Sequence, residues 1–451
     1  MCKPYMTETR VDRHRSFSIF SVSLPSQCFD DTPYPIVLEY PLIHSRMKNI
    51  AIIGAGAAGC FCAQRLKELR PEAKVTVFES HSKPLAKVSV TGGGRCNLTN
   101  SFALVRDLRE VYPRGHQLMK RLFHVWNHWD TMSWFEEHGV RLVTQEDECV
   151  FPVSQNAMEI VEVLRRGLDL RLQTRVAAIE KREDGKWEVF AEAQGSVGVF
   201  DAVVVTTGGA RRFSWLARLG MEIVPPVPSL FPFKLEPAGL EQMSGAVVKD
   251  AELLLPGAKC RARGTVLVTH NGISGPATLR LSSYAARFLA EKACCADLVI
   301  NWMGELGEEQ VREALRDFAQ SHPNKLVIGT VPAFDGDAAE RVLTSRMWEF
   351  MVARAGIHPQ TRWSGMGKKQ YNKLVTVLTA DTHKVTGRVP HKEEFVTAGG
   401  VSLAALDSAT LESKTQKGLF FAGEVTDVDG VTGGFNLQAA WTMAEVVARG
   451  V

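Results

Sequence analysis

The pattern of apolar and polar positions is clearest around residue 50, where it predicts a strand, a helix and a second strand. The apolar run Ile50–Ile53 ends at a glycine, and the amphipathic segment after it is long enough for a helix. A second run, Lys74–Phe78, has the length and composition of a strand and ends at Glu79. This order is typical of the unit that opens a doubly wound α/β fold.

The next 150 residues continue the mixed α/β pattern. Residues 126–168 are mostly helical in pattern, around a short extended piece at Cys149–Ser154. Leu170–Ile179 and Trp187–Ala191 predict a strand and a hairpin around a Glu-Asp-Gly turn. The apolar run Ala202–Val205 continues into Thr-Thr-Gly-Gly, which is typical of a buried parallel strand whose carboxyl end meets a ligand.

The composition changes near residue 225, where Pro225, Pro226, Pro228 and Pro232 interrupt the chain. Short extended stretches follow at residues 235–237, 245–255 and 264–269, and they predict an inserted β-barrel or β-sandwich. Later elements are a strand at residues 298–303, helices at 308–318, 338–355 and 368–378, and extended segments at 385–389 and 394–398.

The first strand leads into Gly54-x-Gly56-x-x-Gly59, and Glu79 lies 25 residues beyond the first glycine. Gly54 permits the tight turn, Gly56 lets a pyrophosphate approach the backbone, and Gly59 lets helix and strand pack closely. The free N–H groups at the start of the helix favour negative phosphates. Because Glu79 is placed to accept hydrogen bonds from a ribose, the segment predicts a dinucleotide site.

A second glycine-rich segment, from Lys87 to Asn100, has three consecutive glycines followed by Arg95, Cys96 and Asn97. Consecutive glycines allow the backbone to approach a flat or anionic ligand closely. Arg95 can pair with a phosphate or a substrate carboxylate, and Asn97 can bond to the edge of a ring. Cys96 has no identifiable base partner, so we do not assign it as a nucleophile.

The C-terminal segment returns to the pattern of the first fold. A strand beginning at residue 418 ends in Ala422-Gly423-Glu424, and Gly433-Gly434-Phe435-Asn436 precedes an apolar helix. The free N–H groups at the start of this second helix favour negatively charged groups, as those of the first helix do. Two such sites, distant in sequence, suit the two ends of a flavin dinucleotide. His270 ends an extended stretch before a Gly/Ser/Pro turn, where a side chain can face a pocket.

Composition narrows the classes of function. A formal charge of +3 over 451 residues gives no reason to expect a nucleic acid or a membrane as partner. The nine cysteines include no CxxC pair and no cluster at metal-ligand spacing, so we expect neither a disulfide relay nor a metal site. Such scattered cysteines favour a reduced, cytoplasmic protein. Residues 1–46 show no sustained periodicity of apolar positions, and we expect them to be an extension outside the core fold.

Four motifs occur in order, namely Gly54–Gly59, TGGGRCNLTN, THNGISGPATL and GLFFAGEVTDVDGVTGGFNLQAA. Through them the chain resembles the bacterial BaiN/RdsA-like, or aminoacetone-oxidase-like, flavoproteins from about residue 47 to its C-terminus. The resemblance implies an α/β FAD-binding, Rossmann-like domain of the glutathione-reductase type, with an inserted β-barrel and a small helical subdomain. The implied boundaries are an extension at 1–46, the FAD-binding domain at 47–227 and 397–451, the barrel at 228–303 and 379–396, and the helical subdomain at 304–378.

The same resemblance implies which residues meet the cofactor. Those of the first motif, with Glu79, would hold the ADP half, and the backbone of Val176 would meet the adenine. Gly93, Gly94, Arg95 and Asn97 would run beside the flavin ring. The full set of candidate cofactor-binding residues is Gly54, Gly56, Ala57, Ala58, Gly59, Glu79, Lys87, Gly93, Gly94, Arg95, Asn97, Val176, Thr207, Gly208, Gly423, Glu424, Gly434, Asn436 and Leu437.

These observations lead us to expect an FAD-dependent oxidoreductase acting on a small organic substrate, with NAD(P)H as a transient hydride donor. The reaction could be the reduction of an activated C=C bond or the oxidation of an amine, and the sequence does not decide between them. Arg95 and His270 are the candidate catalytic residues, for orienting substrate or stabilising developing negative charge. Two alternatives stay open, a flavin-dependent RNA-modifying enzyme and a non-catalytic flavin redox sensor.

Overall fold

The computed structural model describes residues 49–209, 214–334, 343–389 and 396–451. The expected extension at 1–46, and parts of the elements expected at 338–355 and 394–398, lie outside these residues. In chain order, the elements up to residue 229 are β1 (Asn49–Ile53), α1 (Ala57–Leu69), β2 (Lys74–Phe78), α2 (Ala86–Gly94), β3 (Thr99–Asn100), α3 (Leu108–Val111), α4 (His116–Leu122), α5 (His128–Glu137), β4 (Leu142–Thr144), β5 (Cys149–Pro152), α6 (Ala157–Arg165), β6 (Asp169–Arg171), β7 (Val176–Lys181), β8 (Trp187–Ala191), β9 (Gly195–Phe200), β10 (Ala202–Val205), α7 (Ser214–Arg218) and β11 (Ile223–Ser229).

The elements after residue 229 are β12 (Phe233–Leu235), β13 (Val247–Leu255), β14 (Cys260–Thr269), β15 (Gly272–Ser274), α8 (Pro276–Tyr284), α9 (Ala286–Glu291), β16 (Ala296–Asn301), α10 (Glu308–Ser321), α11 (Ser345–Arg354), α12 (Lys368–Thr379), β17 (Asp381–Arg388), β18 (Val396–Val401), β19 (Leu419–Phe421) and α13 (Phe435–Gly450). The strand β19 and the helix α13 rejoin the first part of the chain, whereas the elements from β12 to β17 form a separate barrel with helices. None of the helices in the described part of the chain is long and apolar enough to cross a bilayer.

A parallel sheet in the order β19-β10-β1-β2-β6 carries the nucleotide-type fold, which we call the sheet domain. Successive residues of β1 point to opposite faces, as the pleat requires. Ile50 and Ile52 face the core that includes α1 and α13, whereas Ala51 and Ile53 face the core beneath β7, β8 and β9. Because both faces are covered, the strands are continuous apolar runs, as the sequence showed.

One predicted strand divides into two. The run Leu170–Ile179 forms β6, which ends the parallel sheet, and β7, which begins the antiparallel sheet β7-β8-β9. Gln173 between them has a φ of +52°, and the backbone of Thr174 donates to the carbonyl of Glu79. The sequence pattern does not show such a corner, because the two short pieces follow each other without a Gly or Pro between them.

The inserted β region is a closed antiparallel barrel in the order β12-β15-β14-β13-β16-β17. Its strands alternate buried and solvent-facing residues, and Leu253, Val266 and Leu298 are fully buried inside it. The helices α10, α11 and α12 lie between β16 and β17 in sequence and pack against the same core. The sequence left barrel and sandwich open, and the structure confirms the barrel.

Candidate functional site

Four parallel strands end at the same edge of the sheet domain. Gly54 follows β1, Glu79 follows β2, Thr206 follows β10, and Ala422 follows β19. Ligands of open α/β sheets bind in the crevice at the carboxyl ends of the strands. The structure therefore brings the first and last motifs of the chain to one edge, although several hundred residues separate them in sequence.

The turn after β1 is too tightly packed for any residue larger than glycine. A Cβ on Gly59 would lie 1.9 Å from the carbonyl oxygen of Gly54, and one on Gly54 would lie 2.5 Å from that of Thr206. In contrast, a Cβ on Gly56 would meet nothing within 4 Å. Gly56 is the N-cap of α1 and no side chain caps that helix, so its first N–H groups are free for an anionic ligand.

Glu79 is fixed beside this turn. Its Oε2 accepts a hydrogen bond from the backbone N–H of Ala55 at 3.0 Å, and its Oε1 accepts from the backbone of His81 at 2.9 Å. Burial opposes the charge of Glu79, but the hydrogen bonds from His81, Ala55 and Ser80 outweigh it and lower the pKa. The carboxylate keeps free lone pairs, so it can still accept from ribose hydroxyls.

The second glycine-rich segment begins inside α2 and leaves it abruptly. Thr91 has extended backbone angles, and Gly92, Gly93 and Gly94 all have positive φ. A Cβ on Gly93 or Gly94 would meet nothing within 4 Å, so the backbone there is open to a ligand. We call residues 91–100 the RCN loop.

The RCN loop is joined to the start of α13. Asn97 donates to the carbonyl oxygen of Thr99 at 2.9 Å and accepts from the backbone N–H of Gly434 at 3.3 Å, in the amide orientation that satisfies both neighbours. The Nδ2 of Asn100 donates to the carbonyl of Gly433 at 3.1 Å. Gly434 is the N-cap of α13 and no side chain caps this helix either. The second and fourth motifs of the sequence therefore form one surface.

Glu424 connects three further segments of the site. Lys87 Nζ lies 3.2 Å from its Oε2, and the backbone N–H of Thr397 donates to its Oε1 at 2.8 Å. A Cβ on Gly208 would lie 3.8 Å from the same carboxylate, and Gly423 packs against Ala58 at the start of α1. Lys87, Gly208, Gly423 and Glu424 thus lie together, as a single cofactor site requires.

The remaining candidate cofactor residues have varied settings. Val176 begins β7, an edge strand of its sheet, which suits a backbone contact with a ligand. Thr207 is exposed just beyond β10, and Ala57 is half-buried at the start of α1. Asn436 directs its amide to Gly430, accepting from its N–H and donating to its carbonyl at 2.8 Å. Leu437 is half-buried against the apolar core.

These features fit a dinucleotide cofactor. Two uncapped helix starts, at α1 and α13, supply free N–H groups, and Glu79 supplies the acceptor for a ribose. Open backbone at Gly56 and Gly93 gives the close approach that a pyrophosphate and a flat ring need. The arrangement therefore fits the FAD site expected from the sequence, and the roles of its individual residues stay predictions.

The two candidate catalytic residues lie in different settings. The Arg95 guanidinium stacks 4.3 Å over the ring of Phe151, and its Nε donates to the carbonyl of Gly92 at 3.0 Å. His270 is exposed at the tight turn between β14 and β15, and none of its bonds among the described residues reaches the RCN loop. Burial raises the pKa of Cys96 to about 12, so its thiol stays protonated and is a poor nucleophile.

The barrel contributes a face that the sequence interpretation missed. The hydroxyl of Tyr284, on α8, donates to the carbonyl of Glu110 at 2.7 Å, and Arg287 pairs with Asp427 at 3.1 Å. Arg280 lies one turn before Tyr284 on the same face of α8, toward the sheet domain. The sequence carries no distinctive signal for this face, because Arg280, Tyr284 and Arg287 are spaced as polar residues on many solvated helices are.

A buried ion pair fixes the same junction. Arg114 forms a bidentate pair with Asp429, which is 1 % exposed, and Arg114 Nη1 also donates to the carbonyl of Ser283 on α8 at 2.9 Å. Ser229, at the end of β11, donates to Asp429 at 3.1 Å. Burial raises the pKa of Asp429, although the bonds from Arg114 oppose that shift. Sequence gave no sign of this pair, because its members are 315 residues apart.

Comparison with known proteins finds relatives that match this chain over most of its length. Over 424 residues the chain is 29 % identical to the ribosomal RNA dihydrouridine synthase of Haemophilus influenzae, covering 90 % of this chain and 99 % of that protein. It is 26 % identical over 421 residues to the 3-dehydro-bile acid delta(4,6)-reductase of Clostridium scindens, covering 89 % of this chain and 98 % of that one. A solved 3-ketosteroid delta1-dehydrogenase from Sterolibacterium denitrificans matches 88 % of this chain and 98 % of its own, with 10 % identity and a TM-score of 0.44.

The family model gives the most extensive match. The model described as the HI0933-like protein Rossmann domain matches residues 48–450, which is nearly the whole chain. This match, the parallel sheet with its inserted barrel, and the assembled dinucleotide site agree with the resemblance that the four motifs carried. We conclude that the chain belongs to the HI0933-like Rossmann family of flavoprotein oxidoreductases.

Proposed function

We propose that this protein is an FAD-dependent reductase of a carbon–carbon double bond conjugated to a carbonyl group, with NAD(P)H as electron donor. The observation that carries the proposal is the hydrogen bond by which Asn97 of the RCN loop accepts from the backbone of Gly434, the N-cap of α13; we call this contact the joint. The inward face of α8, which carries Tyr284, lies beside it. That joint forms a polar, glycine-rich surface on the sheet domain, and the barrel adds the residues facing it. Such a two-sided arrangement suits a flat cofactor with a substrate beside it.

FAD, when bound, supplies the hydride chemistry, and the protein residues bind and orient the reactants. The uncapped start of α13 would offer its N–H groups to the part of a bound flavin ring that carries negative charge. Arg95, on the RCN loop, keeps N–H donors beyond the ones used by Gly92 and Gln155, since a guanidinium has five. A cation there would stabilise a carbonyl oxygen as it gains negative charge.

The choice of substrate class rests on what the named relatives share. Forming dihydrouridine saturates a C=C bond conjugated to a ring carbonyl, and a delta(4,6)-reductase of a 3-dehydro-bile acid acts on C=C bonds conjugated to a ketone. Hydride addition to such a bond places negative charge on the carbonyl oxygen. Because both relatives match this chain over most of their length, we favour reduction over amine oxidation.

NAD(P)H is proposed as a transient donor. The sequence contains no second complete GxGxxG motif after a strand, so no dedicated nicotinamide-nucleotide domain is expected. The donor would therefore reach the flavin from the side that the substrate later occupies. We further propose a cytoplasmic location, where reduced nicotinamide nucleotides and free thiols are both maintained.

The proposal is tested by incubating FAD-loaded protein with NADH or NADPH and a panel of cyclic enones under anaerobic conditions. Loss of the enone absorbance, with a gain of two mass units in the product, is expected. Arg95→Ala and His270→Ala should lower turnover while FAD stays bound, whereas Arg261→Ala, an exposed barrel arginine, should not. Turnover that is unchanged in the first two variants would remove them from the catalytic role.

A second candidate function, reduction of uridine in RNA, is favoured by the name of the Haemophilus influenzae relative. A cleft of about 390 Å³ in the helical part, lined by Arg312, Arg316, Lys368 and Tyr371, offers cations beside an aromatic ring for a phosphate backbone. A salt-dependent gel shift with a ribosomal RNA fragment, and dihydrouridine formed in it, would favour this candidate. Enone turnover without RNA binding would favour the first.

A further inference from the structure

The inward face of α8 carries several polar groups, and three of them are occupied. Tyr284 bonds to the carbonyl of Glu110, and Ser283 accepts from Arg114. Arg287, just beyond α8, pairs with Asp427. These three contacts hold the barrel against the sheet domain, and each of the three side chains has its partner in the sheet domain.

Arg280 differs from its neighbours on this face. Its side chain is partly buried and its Nε is inaccessible to solvent, yet that Nε has no hydrogen-bond partner. No ion pair joins its guanidinium to any carboxylate in the described ranges. The aspartates nearest along this junction, Asp427 and Asp429, are already paired with Arg287 and Arg114.

The surroundings of Arg280 place it beside the RCN loop. It lies within electrostatic range of the Cys149 thiol, in β5. Cys149 is paired in register with Asn100 of the RCN loop. The Nδ2 of Asn100 donates to the carbonyl of Gly433, just before the start of α13. Arg280 therefore approaches, from the barrel side, the surface expected beside the flavin ring.

A guanidinium removed from water without a counter-ion is costly, so partly buried cations are normally paired. Its planar set of N–H donors matches a carboxylate or a phosphate in a bidentate arrangement. The other arginines of this junction already have carboxylates from the protein, and Arg280 has none. An anion from outside the chain would supply the partner that Arg280 lacks.

We propose that Arg280 binds an anionic oxygen group of the substrate, a carboxylate or a phosphate, between α8 and the RCN loop. The inference rests on the proposed function, since it places that substrate beside the flavin. It narrows the substrate class to conjugated carbonyl compounds that bear a negative charge. Arg280 is a binding residue here and takes no part in the hydride transfer.

The test is an equilibrium titration of FAD-loaded protein, followed by the visible absorbance of the flavin. The probes are benzoate, inorganic phosphate and benzamide, which is the neutral counterpart of benzoate. We expect benzoate or phosphate to perturb the spectrum of the wild type, and Arg280→Gln to raise the Kd of that anion at least about tenfold, the loss expected for a charge-assisted pair. Arg280→Lys should restore much of the binding, and the exposed control Arg261→Gln should bind as the wild type does.

A kinetic comparison separates binding from chemistry. With an enone that bears a carboxylate, Arg280→Gln should raise KM about tenfold or more with little change in kcat, and with its methyl ester KM should stay unchanged. Equal anion binding by wild type and Arg280→Gln, or equal losses for the acid and the ester, would overturn the proposal. Protein that binds no FAD would refute the proposed function itself, which is a distinguishable result because FAD content is measured first.

Discussion

Replacing Gly434 by alanine tests the joint on which the proposed cofactor site depends. Gly434 has a φ of +89°, and a Cβ there would lie 2.3 Å from the carbonyl oxygen of Thr99 and 2.9 Å from the side-chain amide of Asn97. A Cβ contact shorter than 3.0 Å cannot be accommodated without movement, so the RCN loop and the start of α13 must separate. The variant therefore acts on both sides of the joint at once.

The loss of folding free energy in Gly434→Ala has two contributions. An alanine in the left-handed region costs about 1–2 kcal/mol, and forcing two packed backbone segments apart costs about 1–3 kcal/mol more. Gly139→Ala is the matched control, because Gly139 has the same φ of +89° but a Cβ there would meet nothing within 4 Å. The control should therefore lose about 1–2 kcal/mol and Gly434→Ala about 2–5 kcal/mol.

The assay has two readouts. Chemical denaturation of the protein without cofactor gives the free energy of unfolding, and fluorescence titration with FAD gives the affinity. Gly434→Ala should lose more stability than the control and should also bind FAD at least about tenfold more weakly, whereas Gly139→Ala should keep its FAD affinity. Equal losses of stability in the two variants, with equal FAD affinities, would refute the reasoning about the joint.

Three further predictions concern charged groups. Glu79→Gln should weaken FAD binding about tenfold by fluorescence titration, because a charge-assisted acceptor at the expected ribose position is lost; an unchanged Kd would remove Glu79 from the site. Arg114→Met should cost about 3–5 kcal/mol in denaturant unfolding, since it leaves the carboxylate of Asp429 buried and unpaired; a loss below about 1 kcal/mol would contradict this. Asp381 is buried, and burial opposes its charge, but the bonds from His383 and Arg354 outweigh it and lower its pKa from 3.8. The ionised carboxylate of Asp381 should stabilise the fold fully above pH 3.8, and this stabilisation should be lost as the pH falls through the lowered pKa. Acid unfolding of the wild type and of Asp381→Asn measures the contribution.

The sheet domain could be predicted largely from sequence because its signals are local. The apolar runs of β1 and β2, the glycines between them and Glu79 after them all lie within about 30 residues, the length of one β-α-β unit. The boundaries agree closely, since the expected strand Lys74–Phe78 is β2 as observed. The extended runs alone left a barrel and a sandwich open, because short runs do not determine whether a sheet closes on itself. The family resemblance implied the barrel, and the structure has it.

The junction between the two domains could not be predicted, because its contacts join residues far apart in the chain. Arg114 and Asp429 carry no local pattern, and a half-buried arginine such as Arg280 looks like any solvated charge on a helix. The corner at Gln173 was missed because its left-handed backbone belongs to a residue that ordinarily avoids it. His270 was singled out because its local turn is distinctive, and that turn is the exposed hairpin between β14 and β15, so its catalytic role stays a prediction.

The most direct test of the account is the anaerobic visible spectrum of the purified, FAD-loaded protein during stepwise addition of NADH and then NADPH. The account predicts a stoichiometric bound flavin whose visible absorbance is bleached by one of the two nucleotides and restored by an enone substrate. A protein that retains no FAD, or a bound flavin that stays oxidised with both nucleotides, would contradict it.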